Sequence, residues 1–89
     1  MKACYVELFQ ENFDKNNLYF CTQPTSPKEA LAIADALADA FSKSFKNPVF
    51  YRDVEADNTP VDNGVEIHVW ELRDEGDVEH RHIIIKERR

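Results

Sequence analysis

One stretch of this chain, residues 26–46, is long and regular enough for an amphipathic helix, and no other stretch is. Ser26 is placed as its N-cap, and Pro27 takes the first helical position with its backbone dihedral preset. Glu29 falls three residues after the cap and completes a capping box. Ala30, Leu31, Ala34, Leu37, Ala38, Phe41 and Phe45 then recur at three- and four-residue spacing as one apolar stripe, which Ile33 and Ala40 widen. Lys28, Asp35, Asp39, Lys43 and Lys46 fall off that stripe, and the last two lysines suit the negative end of the helix dipole. Asn47-Pro48 stops the helix. A helix with a single apolar stripe has to lie on something, and the remaining chain reads as strands.

Residues 2–9 alternate, with Cys4, Val6 and Leu8 on one face and Ala3, Tyr5, Glu7 and Phe9 on the other. Residues 10–17 read as a hairpin loop and 18–22 as the second strand. Pairing Leu8 with Leu18 and Val6 with Phe20 gathers the aliphatic groups on one face. That register leaves Tyr5, Phe9, Tyr19 and Cys21 on the other. Residues 48–54 form a third strand, with Val49 and Tyr51 opposed to Phe50 and Val54, and the pattern does not decide which side meets the helix. A turn-rich loop follows over 55–64. Residues 65–72 and 78–86 are the fourth and fifth strands, joined by a turn containing Gly76. Registering Ile67 on Ile83 and Val65 on Ile85 places His68 opposite His82 and Trp70 opposite His80.

The expected fold is a single α+β domain over residues 1–89, of ββαβββ order. It is a two-layer sandwich of one mostly antiparallel five-stranded sheet with a single helix on one face. A right-handed crossover and the strand order 2-1-3-4-5 satisfy the connections simply. Eighty-nine residues leave no room for a second core. In outline this shape resembles small antitoxin-like modules and the compact acidic proteins that phages and mobile elements use against host systems. No motif in the chain is specific to either group.

Charge and cysteines narrow the function classes. The formal net charge is −6, and residues 53–79 hold ten acids against one base, Arg73. The sign reverses at the end, where Arg81, Lys86, Arg88 and Arg89 face Glu87 alone. That balance disfavours phosphate backbones and anionic membranes, and it suits a basic protein partner. Cys4 and Cys21 sit in no metal-binding spacing and point to opposite sides of the expected hairpin, so no disulfide is expected. Met1-Lys2 leads into an alternating strand, no signal peptide is expected, and no apolar run has the length of a membrane span. A cytoplasmic address with reduced thiols is the expectation.

One sheet face is expected to meet the helix, and the other collects Tyr5, Phe9, Tyr19, His68, Trp70, Leu72, His80, His82 and Ile84. A face so rich in aromatic groups reads as a protein interface, here expected to make a homodimer. Stacking of nucleic-acid bases on it is disfavoured by the neighbouring Glu7, Glu66, Glu71 and Glu79. Asp53, Glu55, Asp57 and Asp62 form an acidic surface for a basic, nucleic-acid-processing partner; they fail as a calcium loop because Gly64 stands where the closing Glu belongs. His68, His80 and His82 form an alternative site, for a small ligand or a transition metal, with Glu66 as a further ligand. No nucleophile elbow or phosphate-binding glycine loop is present. The chain is therefore expected to be non-enzymatic and to need no cofactor.

Overall fold

A computed structural model describes residues 2–12, 15–53 and 63–87. Its elements run β1 (Cys4–Asn12), β2 (Lys15–Cys21), α1 (Pro27–Ser42), β3 (Pro48–Arg52), β4 (Gly64–Glu71) and β5 (Val78–Glu87). The ββαβββ order and the helix-on-sheet architecture are as the residue patterns predict. All four ladders are antiparallel, in one five-stranded sheet.

The helix begins as its capping residues dictate. Ser26 Oγ accepts from the Glu29 backbone N–H at 3.2 Å, and the Thr25 hydroxyl donates to the Glu29 carboxylate. It ends earlier than the spacing predicts, at Ser42, where Ser42 Oγ turns back to the Asp39 carbonyl and competes with the helical ladder. Phe45 lies past that end but is still buried against the core.

The face turned to the sheet is narrower than expected. Ala30, Ala34 and Ala38, four residues apart, are buried, and Leu31, Ile33, Leu37 and Phe41 pack on the core from its flanks. Small residues along the central line let the helix axis approach the sheet closely. Ala40, expected to widen the stripe, is exposed.

Strand order departs from expectation: it is β2-β1-β4-β5-β3, not 2-1-3-4-5. β4 lies against β1 because Val65, Ile67 and Val69 are its most continuous aliphatic row and match Val6 and Leu8. The five-residue β3, with no fully buried side chain, goes to the far edge beside β5. β2 and β3 are then opposite edges, four strand spacings or about 19 Å apart. A 16-residue helix is about 24 Å long, enough to cross that distance.

Two β-bulges change which side chains share a face. On β2, Leu8 pairs with Phe20 and Phe9 with Leu18, leaving Tyr19 as the extra residue. Leu18 therefore shares the helix-free side with Phe9, instead of joining Leu8 in the core. On β5, Val69 pairs with Arg81 and Trp70 with Glu79, leaving His80 extra, so Trp70 is not opposite His80. The aliphatic register of Ile67 on Ile83 and Val65 on Ile85 holds as predicted. On β3, Tyr51 pairs with Ile84 and Phe50 with Ile85, which puts Phe50 on the helix side. Glu71, expected beside the aromatics, pairs with Cys4 on the helix side and is held by Arg73 Nε at 2.8 Å.

Candidate functional site

The helix-free side of the sheet carries the polar cluster, and β-pairing builds it. His68 on β4 is opposite His82 on β5, and their rings stack with centroids 4.1 Å apart and planes 19° from parallel. Trp70, two residues along β4, stacks on the same imidazole at 5.7 Å, and Phe9 on β1 meets it edge-on at 5.6 Å. Three rings, from β1, β4 and β5, thus pack around His68.

Two carboxylates close the ends of the histidine pair. Glu66 Oε1 lies 3.0 Å from His82 Nε2 and 3.3 Å from His68 Nε2. At the opposite ends of the rings, Glu79 Oε2 is 3.0 Å from His68 Nδ1, and Glu79 Oε1 is 3.5 Å from His82 Nδ1. The bulge at His80 makes this possible, because it brings Glu79 opposite Trp70 and beside the two rings.

The cluster is half-buried, and that sets its electrostatics. Burial pulls the His68 pKa down, but the bonds to Glu66 and Glu79 outweigh it and leave the imidazole above its ordinary value. The bond from His68 holds the Glu66 carboxyl below its ordinary value against the opposing effect of burial. Among the described residues, Glu66, His68 and His82 are the one group of three whose ligand atoms all lie within 4.8 Å of one another.

The other residues expected at a site are scattered around this cluster. Tyr5 is opposite Trp70, and its hydroxyl donates to Asp77 Oδ2 at 2.7 Å, a bond that pushes the phenol well above its ordinary range. Ile84 is buried, at 5% exposure, and is not a surface group. Trp70 Nε1 is buried without a hydrogen-bond partner among the described residues. His80, displaced by the bulge, is exposed and outside the cluster. Leu72 is exposed at the end of β4.

Of the expected acidic surface, Asp53 alone lies within the described residues, since Glu55, Asp57 and Asp62 fall outside them. Asp53 adopts a positive φ of 54° and clasps β5. Its backbone N–H donates to the His82 carbonyl at 2.9 Å, and its Oδ1 accepts the His82 N–H at 3.1 Å. The sequence reading missed Glu79 as part of the cluster, because alternation alone assigns that place to His80.

A run of exposed large apolar groups lies elsewhere, on the edge strand β2, while Phe50, Leu72 and Val78 are exposed singly along the rest of the chain. Leu18, Tyr19 and Phe20 are consecutive and 55%, 67% and 38% exposed. Among the described residues β2 pairs with β1 alone, so no strand of that set lies along its other edge. Cys4 is buried and Cys21 exposed, and both thiols are free. Desolvation, with Glu7 adding to it, pushes the Cys21 thiol up, away from the thiolate a nucleophile needs. No helix among the described residues is long and apolar enough to cross a membrane.

No known protein family, no curated protein and no solved structure matches the chain.

Proposed function

We propose that this chain is a non-enzymatic protein-interaction module that docks through the edge of β2, with a second copy of itself as the partner. One observation carries the reading: three consecutive large apolar side chains stand exposed on a strand whose outer edge pairs with nothing among the described residues. Leu18 shares the helix-free side with Phe9, and Phe20 shares the helix side with Leu8, so the apolar groups wrap the edge from both sides. An antiparallel edge is self-complementary about a two-fold axis, which makes an identical chain the simplest occupant. The surplus of acid keeps such a dimer soluble, and two free thiols on opposite sides of the sheet suit a reducing, cytoplasmic setting.

The test is solution mass by light scattering on a sizing column, across a concentration series. The wild type is expected at twice the chain mass and Tyr19→Lys at one, with unchanged far-ultraviolet dichroism. A monomeric wild type at every concentration sinks the proposal. A dimer that survives Tyr19→Lys and dissociates with Trp70→Ala moves the interface from the edge to the aromatic sheet face.

A further inference from the structure

We infer that Glu66, His68 and His82 form a binding site for one divalent transition metal ion of the zinc class, oriented by Glu79. This goes beyond the docking reading and stands independently of it.

Four contacts of 3.0–3.5 Å join the four ring nitrogens of His68 and His82 to the carboxylates of Glu66 and Glu79. A carboxylate accepts and cannot donate when ionised, and a neutral imidazole has one N–H. Two neutral rings therefore supply protons for two of the four contacts and leave lone pairs facing lone pairs in the others. Protonating both rings fully satisfies all four, but it stacks two cations with centroids 4.1 Å apart. A cation at the Glu66 end removes the conflict. Both rings are then neutral, their Nδ1–H groups donate to Glu79, and their Nε2 lone pairs converge with Glu66 Oε1 on the metal.

The geometry favours this solution. Glu66 Oε1 is 3.0 and 3.3 Å from the two Nε2 atoms. In a tetrahedral site with bonds of about 2.0–2.1 Å, ligand atoms are about 3.3 Å apart. The three candidate ligand atoms lie within 4.8 Å of one another, and binding turns the two stacked rings toward a common point about their side-chain torsions. Two imidazoles and a carboxylate select zinc, cobalt or nickel over magnesium or calcium, which prefer all-oxygen sites. Glu79 on the far nitrogens is the carboxylate–histidine–metal arrangement that fixes the tautomer and aims the lone pairs. The two histidines are carried by the central β4–β5 ladder, and Asp53, just past the end of β3, grips the His82 backbone, so the main chain that bears the ligands is fixed. Three protein ligands leave a fourth position for water or for a group of a partner.

The experiment is calorimetric titration of the chelator-treated full chain with zinc chloride, with cobalt chloride in parallel for its visible spectrum. One zinc per chain is expected, with a four-coordinate cobalt spectrum. His82→Gln and Glu66→Gln are expected to weaken zinc at least about 100-fold, and Glu79→Gln about 10- to 100-fold. His80→Gln, outside the cluster, is expected to bind as the wild type does. Absence of saturable binding at one per chain overturns the proposal, as does binding that ignores His82→Gln and Glu66→Gln or is lost with His80→Gln. Should those variants fail to fold, the wild type decides by nitrogen NMR. Zinc must shift Nε2 of His68 and His82 and leave His80 unmoved; a shift at His80 alone overturns the site.

Discussion

His68 and His82 stack face to face across the β4–β5 ladder, 4.1 Å between centroids, and one pair of carboxylates holds both rings. Neither feature follows from having histidines in the chain. The stacking requires the two strands to register at this pair, and the second carboxylate requires the bulge that brings Glu79 into place. The cluster is thus a product of strand register, and its properties titrate with the groups around it.

The metal-free protein should be most stable at mildly acidic pH. His68 has a folded pKa above its ordinary 6.5, so its contribution is fully present below about 6.5 and is lost as pH rises through the raised value. Glu66 has a folded pKa below its ordinary 4.5, so its contribution is present above about 4.5 and is lost as pH falls through the lowered value. Both act together between those limits. Glu66 and Glu79, which bond the His68 ring, favour the protonated imidazole; His82 stacks against the ring and Glu7 lies opposite it on β1. The melting temperature of chelator-treated wild type should fall from pH 6 to pH 8 by more than that of His68→Gln. Equal slopes for the two proteins would show that His68 is not the group responsible.

Asp53 should matter for stability more than an exposed acid ordinarily does. It bonds the His82 backbone twice while holding a positive φ, a conformation that Asp and Asn tolerate better than other side-chain-bearing residues. Asp53→Ala removes the side-chain acceptor and should cost about 1–3 kcal/mol in urea unfolding. Asp53→Asn keeps an oxygen acceptor and the backbone preference, and should stay within about 0.5 kcal/mol of the wild type. A large loss in Asp53→Asn would mean that the charge, and not the clasp, stabilises the fold.

The parts of this fold that were legible in the sequence are those where side-chain chemistry alone decides. Ser26, Pro27 and Glu29 announce the helix start, and the aliphatic rows of β4 and β5 admit one good alignment, which carries His68 to His82. Strand order was not legible, because the alternation of Val65, Ile67 and Val69 says that a strand is half-buried without naming its neighbours. Nor were the bulges at Tyr19 and His80. No glycine or proline marks either one, and side-chain alternation carries no sign of an extra residue. One extra residue on β5 then exchanged His80 for Glu79 in the cluster, and one on β2 moved Leu18 out of the core.

The N-cap of α1 should be worth what isolated caps are worth. Ser26→Ala leaves the Glu29 N–H without its acceptor and should lower stability by about 1 kcal/mol, within a range of about 0.5–2. Ser26→Asp restores an acceptor and adds charge at the positive end of the dipole, so it should recover most of that loss. Thermal unfolding followed at 222 nm measures both. Equal losses in the two variants would place the effect in packing rather than in the cap.

The alanine line of the helix gives the sharpest check on how α1 lies on the sheet. Ala34 is fully buried at its centre, and the helix sits close enough there that a larger side chain has no room. Ala34→Leu should therefore lift the helix off β4 and cost about 1–3 kcal/mol, although leucine is a good helix former. Ala40 belongs to the apolar stripe by spacing but points to solvent, so Ala40→Leu should change stability by less than about 0.5 kcal/mol. Propensity is the same for the two substitutions, and their difference reports burial alone. A destabilised Ala40→Leu beside a neutral Ala34→Leu would require the helix to be rotated about its axis. Such a rotation would also break the ion pair between Arg81 on β5 and Asp35 on the helix, at 3.2 Å.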